Sequence, residues 1–367
     1  MKLRVGFIPL LVVLALGMTG VAGEKPAKEK GAKEKVAKES KPAKKATAGG
    51  KSLVAAGAEV KKLVNDLQFT EGPAGDAVGD VYFSDIPNNR IIKWSLDGTP
   101  SVFIDKSGGA NGLYFDKDGN LLACQGEARR LVSISRKGEI TVLADKYRGK
   151  RFNSPNDLWI DPKGGVYFSD PRYGNREGME LKGEDVYYLT PNHKTVVRVI
   201  SDMVRPNGLI GTPDGTTLYV ADAGAGKIYA YQINKSGMLT GKRLFAPEGS
   251  DGMTIDRQGN VYLTTKAVAV YNKKGKKIEE IQVPEQPANV TFGGKDNSTL
   301  FITARTSLYA VDMQVKGAPT PIRPDGQKAL KSKEKAPKSK EKTLKSKVSK
   351  ESKRSATPPG WKSSPSF

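Results

Sequence analysis

Six copies of one strand motif run along the middle of this chain, and the interval between them constrains what it can become. Short runs rich in β-branched and aromatic residues recur at Val81–Ser84 (VYFS), Leu121–Cys124 (LLAC), Val166–Ser169 (VYFS), Leu218–Ala221 (LYVA), Val261–Thr264 (VYLT) and Leu300–Thr303 (LFIT), each behind a turn rich in Gly, Asn or Asp. The segments just upstream align as well: Thr70–Pro73 (TEGP), Ala110–Leu113 (ANGL), Pro155–Leu158 (PNDL), Pro206–Leu209 (PNGL), Ser250–Met253 (SDGM) and Ala288–Thr291 (ANVT). Their second residues are 40, 45, 51, 44 and 38 positions apart. Pure β repeats of that length, about four strands each, predict an all-β fold, a six-bladed β-propeller. The last repeat supplies only three strand runs, ending at Leu308–Val311, so Ala58–Asn65 is expected to complete its blade and close the ring.

The aligned second residues are Glu71, Asn111, Asn156, Asn207, Asp251 and Asn289. The first strand of each propeller blade lines the central channel, so this column puts six carboxylate or amide oxygens at one level of it. Hard divalent cations favour such a set: Ca²⁺ takes about six to eight oxygen ligands, and two carboxylates balance its charge. Asn-Gly and Asp-Gly are also turn pairs, and a turn in every blade would select them for backbone reasons. Glu does not fit that explanation, and Glu71 stands in the column.

Composition narrows the chemistry. One Cys excludes an internal disulfide framework, and one His, His193, leaves little room for His-based catalysis or zinc sites of several imidazoles. The net charge of +21 lies mostly in the ends: +6 over residues 24–52, +10 over 322–367 and only +3 over 53–321. A nucleic-acid-binding core is therefore not implied. Lys2 and Arg4 precede an uncharged apolar run from Val5 to Val21 and then Ala22-Gly23, the pattern of a secretory leader (1–23) cut near Gly23. Export to a periplasm or the exterior is the expectation. Residues 24–52 and 322–367 repeat Lys, Ala, Ser and Glu, and are expected to be disordered Lys-rich N- and C-terminal tails around the 53–321 propeller, able to hold weakly to anionic polymers.

With Asn153–Trp159 (NSPNDLW) followed by Gly165–Pro171 (GVYFSDP), and with Glu71–Pro73, Arg205–Leu209 and Asp251–Met253 in support, the chain resembles the SMP-30/gluconolactonase/LRE-like family of six-bladed, calcium-dependent propellers over roughly residues 58–315. The resemblance implies a metal at Glu71, Asn156, Asn207 and Asp251, and hydrolysis of a lactone, often a sugar lactone. In that reading one divalent cation, Ca²⁺ with Mg²⁺, Mn²⁺ or Zn²⁺ as alternatives, polarises the carbonyl, and Asp251 takes a proton from the attacking water. Asn111 and Asn289 would bind ring hydroxyls, and Arg151 an acidic substituent. The competing expectation is a non-catalytic exported propeller that binds polysaccharide or protein around a structural calcium. A monomer is expected in either case. Asp85, Asp170 and Asp222, which close strand runs, are expected to bond neighbouring loops, Arg129 and Arg130 to lie on an outer hairpin, His193 to sit in a turn and Cys124 to be a small buried hydrophobe.

Overall fold

A computed structural model describes residues 51–319. The expected leader and both Lys-rich tails lie outside the described residues, apart from positions 51 and 52 at the inner edge of the first tail. Six four-stranded antiparallel sheets form the blades of a propeller. Blade 1 runs Thr70–Gly75, Val81–Asp85, Arg90–Trp94, Pro100–Asp105, from the innermost strand outward. The inner strands of blades 2 to 6 are Ala110–Phe115, Leu158–Ile160, Pro206–Gly211, Met253–Ile255 and Pro287–Gly293. The ring closes as expected: Lys61–Val64, from the start of the domain, pairs antiparallel with Ser307–Asp312 as the outer strand of blade 6.

Burial follows the radial order. Inner and second strands are almost wholly buried, while outer strands such as Pro100–Asp105 and Leu239–Ala246 are largely exposed. The far ends of five inner strands converge on Gly75, Tyr114, Phe115, Ile210, Ile255 and Phe292, which leave a cavity of only about 50 Å³. The channel is filled there, and its polar level lies toward the starts of the inner strands.

That level is also where every inner strand departs from regular pairing. Register shifts fall at Glu71/Ala74, Ala110/Leu113, Pro206/Leu209 and Pro287/Asn289. In blades 3 and 5 the regular ladder begins only after Asp157 and Gly252. Bulges re-aim a side chain and bend the strand, and here they turn one residue per blade toward the axis. The freed backbone groups are recovered by hydroxyls at the ends of the repeated strand runs. Ser84 Oγ donates to Asn111 O at 2.7 Å, Thr264 Oγ1 to Ala288 O at 2.7 Å and Thr303 Oγ1 to Asn289 O at 3.2 Å.

The glycines of the column have a steric origin. Neighbouring inner strands touch: Gly112 N donates to Asn156 O, and Gly208 N to Asp251 O, both at 2.7 Å. A Cβ on Gly208 would stand 2.3 Å from Asp251 O, and one on Gly112 2.6 Å from Asn156 O. Of Gly72, Gly112, Gly208 and Gly252, only Gly72 has positive φ. The turn explanation therefore fails for most of the column, and close approach of backbones replaces it. Gly208→Ala, at a position where φ is permissive, should destabilise the fold by about 1–3 kcal/mol through overpacking alone. A lowered urea midpoint checks this; an unchanged midpoint would mean that the inner strands are not pressed together.

Candidate active site

The bulges bring six of the seven sequence-predicted site residues, all but Arg151, into one buried polar hub. Asn207 Nδ2 donates to Asp251 Oδ1 at 2.7 Å, and Asn289 Nδ2 reaches Glu71 Oε2 at 3.3 Å. Asn111 belongs here too, and its Oδ1 is buried without a hydrogen-bond partner. Asn156 is buried at the equivalent position of blade 3, and its backbone carbonyl ties blade 2 to blade 3. Its side chain makes no hydrogen bond to a described residue. Arg151 lies apart, on the short hairpin of Lys146–Tyr147 and Lys150–Arg151, where it is exposed and paired with Glu180. None of its contacts reaches the hub.

One hub residue escaped the sequence reading. Asp157 follows Asn156 where four other blades carry Gly, and its carboxylate occupies space beside Gly112 that a Cβ would need. Asn289 Nδ2 reaches its Oδ2 at 3.4 Å, and Leu158 N donates to its Oδ1 at 2.9 Å. The signal was present in the sequence, as a carboxylate standing in a column that holds Gly in four of the other five blades and Val290 in the fifth.

Three carboxylates thus share the hub, and among the described residues none forms an ion pair. Burial pushes Asp157 up to about 7, against the pull of its backbone and Asn289 hydrogen bonds. Burial pushes Asp251 up to about 6, with Asn207 and the more distant Arg305 opposing it. Burial, then repulsion from Asp251, pushes Glu71 well above the usual carboxylate range. Among the described residues, no three His, Cys, Asp or Glu side chains gather as a ready-made metal cluster. A cation here would depend on amide oxygens for much of its coordination, and the unbonded Asn156 amide fits that demand. The donor set is all oxygen, which suits a hard divalent ion.

Around the hub, aspartates at the ends of second strands hold the entering loops. Asp85 accepts from Gln68 N at 3.0 Å, Asp170 from Asn153 N and Ser154 N at 2.8 and 2.7 Å, and Asp222 from Val204 N and Arg205 N at 3.0 Å. Arg129 is not on an outer hairpin: its largely buried guanidinium donates to the Phe152 and Gly178 carbonyls. His193 sits in a turn at φ 55°, and Cys124 is fully buried. A cleft of about 510 Å³ lined by Lys146, Arg148 and His193 holds none of the hub residues.

With this geometry in place, comparison with known proteins is direct. Residues 69–306 match the model of the SMP-30/Gluconolactonase/LRE-like region. The chain belongs to that family. A gluconolactonase of Zymomonas mobilis is 30% identical over 293 residues, covering 70% of this chain and 82% of the relative. The solved gluconolactonase of Xanthomonas campestris superposes with a TM-score of 0.67 at 29% identity, covering 74% of this chain and 99% of the other. Regucalcin of Agrobacterium tumefaciens, a calcium-binding protein, superposes with a TM-score of 0.60 at 22% identity over 71% and 95% of the two chains, a likeness of fold alone.

The raised carboxyls make a prediction about the cation-free protein. Each carboxyl ionises less readily folded than unfolded, so between about pH 4 and pH 7 the folded chain binds more protons. Stability in chelator should therefore fall as pH rises through that window. The urea midpoint is expected to be lower at pH 7.5 than at pH 5.5 in chelator, with added Ca²⁺ removing most of the difference. A midpoint that climbs with pH in chelator would contradict the hub electrostatics.

Proposed function

We propose that this gluconolactonase/lactonase-like hydrolase opens a sugar lactone at the hub, around one divalent cation, Ca²⁺ in the first instance, held by Glu71, Asn156, Asn207 and Asp251. The observation that carries the reading is the set of buried, unpaired carboxylates Glu71, Asp157 and Asp251 beside amides with unused oxygens. Burying such charges without a counter-charge is costly, and a divalent ion offsets that cost. The names of the relatives, gluconolactonase and lactonase, supply the substrate class.

When bound, the ion would act as a Lewis acid on the ester carbonyl and favour the negative charge that develops there. The chain's residues supply the rest. Asp251 Oδ1 is fixed by the Asn207 amide at 2.7 Å, and a carboxylate so placed accepts a proton from the attacking water. The water oxygen bonds to the carbonyl carbon, the ring C–O bond breaks, and the ring oxygen leaves as the hydroxyl of the open acid after taking up a proton. Asn111, whose Oδ1 has no partner, accepts from a substrate hydroxyl, and Asn289, two blades round the ring, serves another. Arg151 is too committed to Glu180 to be assigned a substrate role from this arrangement. The basic start, apolar run and small residues of positions 1–23 support export of the chain.

Asp251→Asn tests the chemistry. It removes the proton acceptor and one anionic ligand while keeping the shape, so kcat/KM for glucono-δ-lactone should fall by at least about a hundredfold with the thermal midpoint retained. Chelator should abolish wild-type turnover and Ca²⁺ restore it. Full activity in the variant, or turnover indifferent to chelator, would overturn the reading.

A further inference from the structure

The connections between second and third strands all lie at the mouth of the channel. Five are short: residues 86–89, 126–129, 223–226, 265–267 and 305–306. The sixth, in blade 3, runs from 171 to 184. Its exposed stretch is not loose, because buried Glu184 gathers it. Glu184 accepts from Arg172 N at 3.0 Å and pairs with Arg176 and with Arg205 of blade 4. Arg172 also donates to Asn153 O at 3.0 Å and Asn175 O at 2.7 Å. The result is a strap tied at both ends to the loops that enter the hub.

The strap carries Tyr173 to the site. The residue is 45% exposed, and its ring lies under the Arg205 guanidinium, 5.1 Å from ring centre to cation. Its hydroxyl accepts from Asn207 Nδ2 at 2.7 Å, and the same amide donates to Asp251 Oδ1 at 2.7 Å. The phenol oxygen therefore stands within two hydrogen-bond lengths of the proposed proton acceptor. Among the described residues no acceptor takes the phenol's own proton. A donor fixed at the mouth, unspent and linked to Asp251 through the Asn207 amide, has the geometry of a recognition group. Its position beyond Asn207, away from the channel's filled end, matches a substituent oxygen and not the carbonyl.

We propose that Tyr173, held by the Glu184-anchored strap, donates its phenolic hydrogen to a ring hydroxyl of the lactone and so selects polyhydroxylated lactones over unsubstituted ones. The inference deepens the proposed lactonase reading and rests on it. A site that spends a donor on a substrate hydroxyl discriminates against the analogue lacking it.

Tyr173→Phe keeps the ring against Arg205 and removes only the hydroxyl. Steady-state kinetics on glucono-δ-lactone and δ-valerolactone, with Ca²⁺ affinity by calorimetry and the thermal midpoint alongside, separate the outcomes. The expected result is a KM for glucono-δ-lactone raised about three- to tenfold with kcat nearly unchanged, δ-valerolactone kinetics unaltered, and Ca²⁺ affinity and midpoint retained. Equal losses on both lactones, or weakened Ca²⁺ binding, would overturn the proposal and leave Tyr173 as a support for Asn207. Unchanged kinetics on an active wild type would overturn the inference alone. A wild type that opens neither lactone with Ca²⁺ present would bring down the lactonase reading and the inference with it.

Discussion

Everything functional in this molecule depends on how closely six inner strands approach one another at a single level of the channel. Backbone amides of Gly112, Gly208 and Gly252 donate across the blade boundaries, and no side chain fits at those positions. That contact fixes the separation of the bulged residues, and with it the crowding of Glu71, Asp157 and Asp251. The same backbone contacts that close the ring hold like charges together out of water. Folding free energy is thus spent on an electrostatic tension that a bound cation would relieve, and this links the fold's stability to its chemistry.

The division of labour within each blade follows from this. Inner strands and the hydroxyls that satisfy their bulges place the reactive groups, and second-strand aspartates lock the loops that enter the hub. Outer strands are free to be polar, as the exposure of Leu239–Ala246 shows. Variation at the mouth is concentrated in the 171–184 connection, where added length lets a side chain reach the site. A rigid hub with one substrate-reading strap is a natural way for a propeller to keep its reaction while changing its specificity.

Much of this was legible in the residues. The repeat interval implied six blades, and the missing fourth run of the last repeat pointed to Ala58–Asn65, where Lys61–Val64 closes the ring. The column at 71, 111, 156, 207, 251 and 289 was visible because blade geometry repeats. What did not repeat was harder to see. Asp157 is the one carboxylate in a column that is otherwise Gly or Val290, and its reach toward Asn289 depends on how that blade's inner strand enters its ladder. Tyr173 belongs to an insertion with no counterpart in other blades, and only the tertiary ties of Glu184 bring it to Asn207. Arg151 looked close to the Asn153–Asp157 motif along the chain, but its hairpin turns it toward Glu180.

The central claim is that the hub's carboxylates and amides exist to hold a single divalent ion. A crystal grown with Mn²⁺ and measured at the manganese absorption edge tests it most directly. The account predicts one strong anomalous peak on the propeller axis, within about 2.5 Å of oxygens from Glu71 and Asp251. A map empty at that point, with the three carboxylates unchanged in position, would contradict it.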